Sequence, residues 1–267
     1  MREVYHTDRK RITLIDLSDC LDNATAAFEP NPHRIDYVTP EQGALMAEQS
    51  FGVSSTSWPD GVGWAAERVT LTTHSGTHID APAHYGPARS GQARTIDQVP
   101  LRWCFGDGVV LNMTQKHRGA AITCSDVQGE LERYSYILKP YDIVLIRTDT
   151  SSSYHQPGYE QRHPGLTREA TEWIIDQGVR LIGIDAWSLD RPFDVMISEA
   201  SQQRSQFWEA HLLGREKEYC QIEKLANLDQ LPQPFGFRVV AFPVNLRAAS
   251  AGWSRVVAIF EDDLALL

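Results

Sequence analysis

The chain has 267 residues, of which 42% are apolar and 22% charged, and its formal net charge is −10. This balance is typical of an ordinary soluble domain with enough apolar material for a core, so we expect a single domain over residues 1–267. An acidic chain without a run of basic residues argues against nucleic acid and anionic membranes as partners.

The N-terminal sequence MREVYHTDRKRITLIDLS lacks the basic and then apolar order of a signal peptide. No stretch approaches the roughly 18 apolar residues that a membrane span needs. The cysteines lie far apart and form no Cys-x-x-Cys pair, which indicates reduced thiols. We therefore expect a cytoplasmic protein.

Short β-branched segments bounded by turn residues predict strands at residues 11–17, 68–73, 108–112, 142–147, 179–185, 237–242 and 255–260. The clearest helix is predicted over 168–177, because Thr167 can cap it and Gly178 can end it. This helix lies between runs of strands, which favours a mixed α/β or α+β sandwich over a regular barrel. The polar stretches 151–162 and 188–204 are predicted to be long loops, the second bordering the active site.

The sequence HSGTHIDAPAH, residues 74–84, holds three of the nine histidines of the chain together with one aspartate. Gly76 and Pro82 oppose a helix there, so we expect a strand end that opens into a turn. Imidazole and carboxylate are ligands that suit Zn²⁺, Mn²⁺ or Fe²⁺. Two histidines and one carboxylate leave positions for water and substrate, which is typical of a catalytic site rather than a structural one.

This segment resembles the His-x-Gly-Thr-His-x-Asp-x-Pro-x-His motif of the metal-dependent cyclase family, which includes bacterial kynurenine formamidases and isatin hydrolases. Every specified position is filled, by His74, Gly76, Thr77, His78, Asp80, Pro82 and His84. The family has a second cluster, in which a histidine precedes a glutamate by twelve residues, and His211 and Glu223 have that spacing. Lys224 stands where the family commonly has asparagine. The resemblance also covers RHPGLTREATEWI, GIDAWSLDRP and AFPVNL.

The resemblance implies an α/β fold of the swivelling β/β/α sandwich type with a mixed sheet, assembled as a homodimer or a larger homo-oligomer. It implies that His74, His78 and Asp80 hold one divalent metal, Zn²⁺ or Mn²⁺. Asp80 could bridge to a second ion held by His211 and Glu223. The same resemblance makes His84 the acid/base residue.

The segment before His211 is longer than in compact kynurenine formamidases and is similar to that of isatin hydrolases. We therefore expect a metal-dependent hydrolase acting on C–N bonds other than peptide bonds. Metal-activated water would open a cyclic amide or lactone, or would cleave an aryl formamide. The alternatives are a ring-closing cyclase of a biosynthetic pathway and a non-catalytic metal-binding protein. A serine hydrolase is disfavoured because the sequence has no Gly-x-Ser-x-Gly elbow.

Other residues are candidates by position alone. His163, just before the predicted helix, could compete with His211 as a ligand, although a local hydrogen bond is the commoner role. Arg191 and Arg204 could bind a substrate carboxylate. Aromatic walls for a planar small-molecule substrate are predicted at Trp58, Trp64, Trp187 and Trp208. Ordinary packing remains the alternative for each of these tryptophans.

Overall fold

The computed structural model describes residues 1–7, 9–25, 29, 31–89, 91–202 and 207–263. These residues form two compact units, one made of Met1–Cys20 with Thr73–Leu267 and the other of Leu21–Thr72. The mixed α/β class predicted above is confirmed. Among the described residues, no helix is both long and apolar enough to cross a membrane.

The described strands, in chain order, are β1 (Arg2–His6), β2 (Lys10–Asp16), β3 (Arg34–Val38), β4 (Ala66–Thr70), β5 (His78–Asp80), β6 (Phe105–Asn112), β7 (Ala121–Ile122), β8 (Ile143–Arg147), β9 (Gly165–Leu166), β10 (Leu181–Ile184), β11 (Cys220–Glu223), β12 (Phe237–Val240), β13 (Ala251–Trp253) and β14 (Val257–Asp263). The described helices are α1 (Pro40–Phe51), α2 (Cys124–Tyr134), α3 (Arg168–Asp176), α4 (Phe193–Ser201) and α5 (Glu209–Leu213).

The larger unit is built on one mixed sheet with the strand order β1-β2-β14-β12-β6-β8-β10-β11-β5-β13. Its centre, β6-β8-β10-β11, is parallel, and its remaining neighbours pair antiparallel. Central strands are buried on both faces, which explains continuous apolar runs such as IVLI in β8. Alternate residues then enter different cores, Val144 and Ile146 in one and Ile143 and Leu145 in the other.

The helices α2 and α3 share a hydrophobic core with the Val144 face of the sheet. The predicted helix at 168–177 is confirmed: the Thr167 side chain accepts a hydrogen bond from the amide of Ala170, and Gly178 follows the helix with φ +91°. A positive φ suits glycine because it has no Cβ. Ala170 and Ile174 are buried, which fixes the helix against the sheet.

Every predicted strand overlaps a described strand, with ends shifted by a few residues. The prediction of a loop over 188–204 is wrong, because α4 occupies most of it. Helix α4 buries Met196 but leaves Phe193 and Ile197 exposed, so the sequence shows no clear amphipathic stripe there. The loop predicted at 151–162 contains only short 3-10 turns.

The smaller unit holds the antiparallel pair β3–β4 and helix α1. Thr39 begins α1 with a reciprocal capping box, in which its hydroxyl accepts from the amide of Gln42 and the Gln42 side chain accepts from the amide of Thr39. Gly43 lies against the main chain of Trp64, where a Cβ would clash with the Trp64 carbonyl. The rings of Trp58 and Trp64 meet edge to face with centroids 5.6 Å apart.

Candidate metal centre

The pairing of β5 with β11 places three acidic or basic side chains side by side. The two strands are antiparallel, with Glu223 opposite His78 and Gln221 opposite Asp80. Side chains alternate along a strand, so His78, Asp80 and Glu223 share one face while Ile79 and Ile222 enter the hydrophobic core on the other. Since a one-residue shift would reverse these faces, the buried isoleucines fix the register that assembles the site.

His211 reaches the same face from α5. Its Nδ1 lies 2.5 Å from Oδ2 of Asp190, and the Asp190 carboxylate also accepts from the amides of Ala210 and His211 at 2.8 and 3.1 Å. A carboxylate at a helix N-terminus satisfies amides that lack partners within the helix. Asp190 thus stabilises the start of α5 and also orients the His211 ring.

The Asp80 carboxylate is the centre of the cluster. Its Oδ1 lies 2.8 Å from Nδ1 of His74 and 3.2 Å from Nε2 of His78. Its Oδ2 lies 4.0 Å from Nε2 of His84 and 3.8 Å from Nε2 of His211. Glu223 completes the group, 3.7 Å from His78 and 3.6 Å from His211. Two sets within this cluster have the geometry of metal ligands: His74, His78 and Asp80, and Asp80, His84 and His211.

Hydrogen bonds on the outer side of the rings decide which nitrogen faces inward as an electron-pair donor. Nδ1 of His78 lies 2.8 Å from the carbonyl oxygen of Gly76, which can only accept, so Nδ1 carries the proton. Nδ1 of His211 donates to Asp190 in the same way. In a neutral ring the other nitrogen, Nε2, then directs its lone pair at the Asp80 and Glu223 oxygens. Electron-pair donors thus face one another.

A divalent cation fits this arrangement. Nε2 of His78 and both carboxylate oxygens of Asp80 are buried, and although Nδ1 of His74 lies 2.8 Å from Asp80, no described residue makes a well-aligned hydrogen bond with any of these three atoms. Buried polar atoms without partners are costly, and a cation between them would remove that cost. Imidazole and carboxylate are the donor types that Zn²⁺ and Mn²⁺ bind.

The same electrostatics perturb the pKa values of the cluster. Burial opposes the ionisation of Asp80, but the charge of His78 and the contacts of the His211, His74 and His78 rings together outweigh it and hold the pKa of Asp80 well below its usual range. Burial also opposes protonation of His211, yet the hydrogen bond to Asp190 and the neighbouring carboxylates raise its pKa to about 10. Burial and the charge of Asp80 raise the pKa of Glu223. The cluster therefore attracts positive charge, either protons or a cation.

His84 lies at the more exposed side of the cluster. The side chains of His74 and His84 are 29% and 25% exposed, whereas His78 and Asp80 are fully buried. Burial lowers the pKa of His84 to about 4, and the neighbouring histidines, when they carry charge, act in the same direction. The Trp208 ring lies edge-on to His84 at 5.5 Å and stacks on His211 at 4.1 Å. His84 is thus an imidazole beside an aromatic wall and, with His74, one of the accessible polar groups of the site.

The structure brings together six residues that the sequence singled out: His74, His78, Asp80, His84, His211 and Glu223. The expected strand that opens into a turn is present, because β5 is followed by the 3-10 turn Pro82–Tyr85 with His84, but His74 lies in a second turn, at residues 73–77, before the strand. His163 lies outside the cluster; it is fully buried, and both of its ring nitrogens lie against main-chain carbonyls, those of Pro164 and Glu160. These contacts leave it unsuited to compete with His211.

Five other residues were candidates from the sequence, three tryptophans and two arginines. Trp187 is half-buried, with the ammonium of Lys224 3.9 Å from its ring centroid. Trp58 and Trp64 belong to the smaller unit. The guanidinium of Arg191 pairs with both carboxylate oxygens of Glu199, at 2.8 and 2.6 Å, and so is engaged within the chain. Arg204 lies outside the described residues.

Three residues at the site received no role from the sequence. Asp190 orients His211, Ser250 contacts Nε2 of His74 through its hydroxyl at 3.2 Å, and Lys224 contacts the main chain of His74. Asp190 lies within GIDAWSLDRP, a segment that carries the resemblance, so the sequence offered a signal that this residue is a partner of a ligand. The role of Ser250 depends on β13 pairing with β5, which no local pattern reveals.

Several known proteins are similar to this chain. Residues 15–191 match a family model described as putative cyclase. The kynurenine formamidase of Paracidovorax citrulli is 29% identical over 192 residues, covering 71% of this chain and 77% of that protein. The kynurenine formamidase of Erythrobacter litoralis is 27% identical over 190 residues, covering 71% and 74%. A crystal structure of an isatin hydrolase bound to the product analogue thioisatinate matches with a TM-score of 0.75 at 18% identity, covering 94% of this chain and 93% of that one.

Proposed function

This chain belongs to the cyclase family, and we propose that it is a metal-dependent hydrolase of a small aromatic substrate, either a cyclic amide of the isatin type or an aryl formamide. The observation that supports this most directly is the buried group of imidazoles and carboxylates: His78 and His211 each lie within 4 Å of Asp80 and within 4 Å of Glu223. Both substrates require cleavage of a carbonyl–nitrogen bond. The same site could therefore act on either substrate.

The residues that would hold the ion are His74, His78, Asp80, His211 and Glu223. A bound divalent cation polarises a carbonyl and lowers the pKa of its water from about 15.7 toward 7. We propose Zn²⁺ or Mn²⁺, as one or two ions. The hydrogen bonds that Nδ1 of His78 donates to the Gly76 carbonyl and Nδ1 of His211 donates to the Asp190 carboxylate support this, because each orients Nε2 to act as a ligand.

His84 is proposed to move the proton. Because burial lowers its pKa to about 4, the ring is neutral at pH 7 and Nε2 or Nδ1 can accept a proton as water attacks the carbonyl. The same ring can then donate that proton to the departing nitrogen. In a cyclic amide this nitrogen stays on the product as an amine, and in an aryl formamide it leaves with the aryl group. His84 is 25% exposed on its side chain, so a substrate can reach it.

The aromatic walls are proposed to hold the substrate ring. Trp208 lies beside His84 and His211, and Trp187 lies beside Lys224. We propose Trp58 and Trp64 as further substrate-binding residues. We also propose a cytoplasmic homodimer or larger homo-oligomer that acts on a small-molecule substrate and binds neither nucleic acid nor membranes. Light scattering of the purified protein would test this assembly.

The test is hydrolysis of isatin and of N-formylkynurenine by protein that has been stripped with a chelator and reloaded with Zn²⁺ or Mn²⁺. Turnover of one substrate is expected only in the reloaded protein, and the preferred substrate decides between cyclic amide and formamide. Asp80→Asn is the matched control, because it keeps the shape of the ligand and removes its charge. Full metal loading without turnover of either substrate would contradict the proposal.

A further inference from the structure

Lys224 is an unusual residue beside the metal centre because it is buried, with 2% of its surface exposed. Lysine is almost never fully buried unless its ammonium has partners. Here Nζ donates to the main-chain carbonyl of His74 at 3.1 Å and lies 3.9 Å from the ring centroid of Trp187. The ammonium therefore contacts a ligand-bearing turn on one side and an aromatic side chain on the other.

The main chain of Lys224 makes two further connections. Its amide donates to the carbonyl of Ala186 at 2.9 Å, and its carbonyl accepts from the Thr77 hydroxyl at 2.6 Å. The residue directly follows Glu223 at the end of β11. Lys224 thus contacts the segments that carry His74 and Trp187, and it follows Glu223, the second carboxylate of the cluster.

The backbone of Lys224 has φ +57°, in the left-handed region that residues with a side chain rarely adopt. Glycine or asparagine would take this conformation more readily. A lysine there is favoured only if its side chain offsets the backbone strain. The contacts of Nζ with His74 and Trp187 are the observed gain.

His74 is the proposed ligand that most needs such a contact. His78 and Asp80 lie on β5 and Glu223 on β11, where strand pairing holds their main chain. His74 lies in the turn before β5, outside any strand, and its side chain is 29% exposed. The Ser250 hydroxyl contacts its ring, and Lys224 contacts its carbonyl.

We propose that Lys224 is a positioning residue that holds His74 in the metal-binding geometry and links that turn to the aromatic wall at Trp187. The ammonium acts through the main chain of His74 and the ring of Trp187, and it contacts no reacting atom. This inference rests on the proposed function, because it takes His74 as a metal ligand.

The test uses Co²⁺ as a probe, since its visible absorption reports the ligand geometry without any substrate. Lys224→Met keeps most of the side-chain length and removes the ammonium. We expect a changed Co²⁺ spectrum and metal retention weaker by about 10- to 100-fold, the usual effect of losing a group that orients a ligand. Lys224→Arg retains a cationic donor and should restore most of both. Lys116→Met is the matched control, because it removes an ion pair with Asp126 and touches no site residue.

Each outcome has a separate meaning. A wild-type spectrum and retention in Lys224→Met would overturn the inference, and so would a lowered melting temperature with an unchanged spectrum. If Lys224→Met does not fold, Trp187→Leu takes its place: removing the ring should change the spectrum, and an unchanged spectrum would overturn the link to the aromatic wall. Wild-type protein that binds no Co²⁺, Zn²⁺ or Mn²⁺ would instead refute the proposed function.

Discussion

Replacing Asp190 by asparagine would test whether the orientation of His211 controls metal binding. The Asp190 carboxylate accepts from three N–H groups, those of His211 Nδ1 and of the amides of Ala210 and His211. An asparagine side chain has one accepting oxygen and one donating nitrogen. Whichever way it turns, its NH₂ group faces an N–H group that has lost its acceptor.

The cost can be worked from that geometry. A buried donor without an acceptor costs about 1–3 kcal/mol. The alternative is a change of tautomer, which puts a proton on Nε2 of His211 and aims it at the metal position. In the metal-free protein the change of tautomer avoids this cost, whereas metal binding requires the proton back on Nδ1 and so incurs it. Since every 1.4 kcal/mol is tenfold, metal binding should weaken by about 5- to 150-fold.

Competition with a calibrated chelator would measure the affinity of wild type and Asp190→Asn for Zn²⁺. Asp185→Asn is a suitable control, because the buried Asp185 carboxylate also accepts several hydrogen bonds, from Thr148 and Asp149, and none from a proposed ligand. The control should lose stability and keep its metal affinity. Equal affinity in wild type and Asp190→Asn would refute the role given to Asp190, as would an equal loss in both variants.

Three further outcomes are expected. His84→Ala should keep its metal and a nearly unchanged KM while kcat falls by roughly 10²- to 10⁴-fold, as steady-state kinetics and metal analysis of the same preparation would measure. Loss of metal together with activity would show that His84 is a ligand instead. Asp80→Ala should lose activity and metal together yet remain folded, so full metal content by elemental analysis would remove it from the ligand set. Burial raises the pKa of Asp185 to about 6 from an ordinary value near 3.9, so stability contributed by its protonated form is present below about pH 4 and lost as pH rises through 6. Denaturant titrations should show this loss, about 2–3 kcal/mol, in wild type but not in Asp185→Asn.

The contiguous part of the site could be predicted because its residues are close in the sequence. His74, His78, Asp80 and His84 lie within one eleven-residue segment, and their types alone indicate metal chemistry. His211 and Glu223 were found only through a resemblance to a family. Nothing local in CQIE shows that Glu223 lies opposite His78.

Three of the four strands of the parallel centre, β6, β8 and β10, could be predicted because they contain continuous apolar runs. The fourth, β11, was not predicted, since its four residues, CQIE, form no apolar run. Strand β5 could not be predicted, since three residues show no periodicity and two of them are His78 and Asp80. Helix α4 was missed because it exposes apolar residues. The contributions of Asp190 and Lys224 are set by tertiary contacts, which a single sequence does not reveal.

The pairing of β5 with β11 has a consequence for how the chain folds. The contact between Thr77 and Lys224 that borders this pair joins residues 147 positions apart, so the ligand cluster closes only after a long chain has been brought together. A cation that binds the closed cluster stabilises the native state by mass action, in proportion to the logarithm of its concentration. Refolding yield at low denaturant should therefore depend on free metal, which would act as a thermodynamic check on correct strand pairing before any substrate is met.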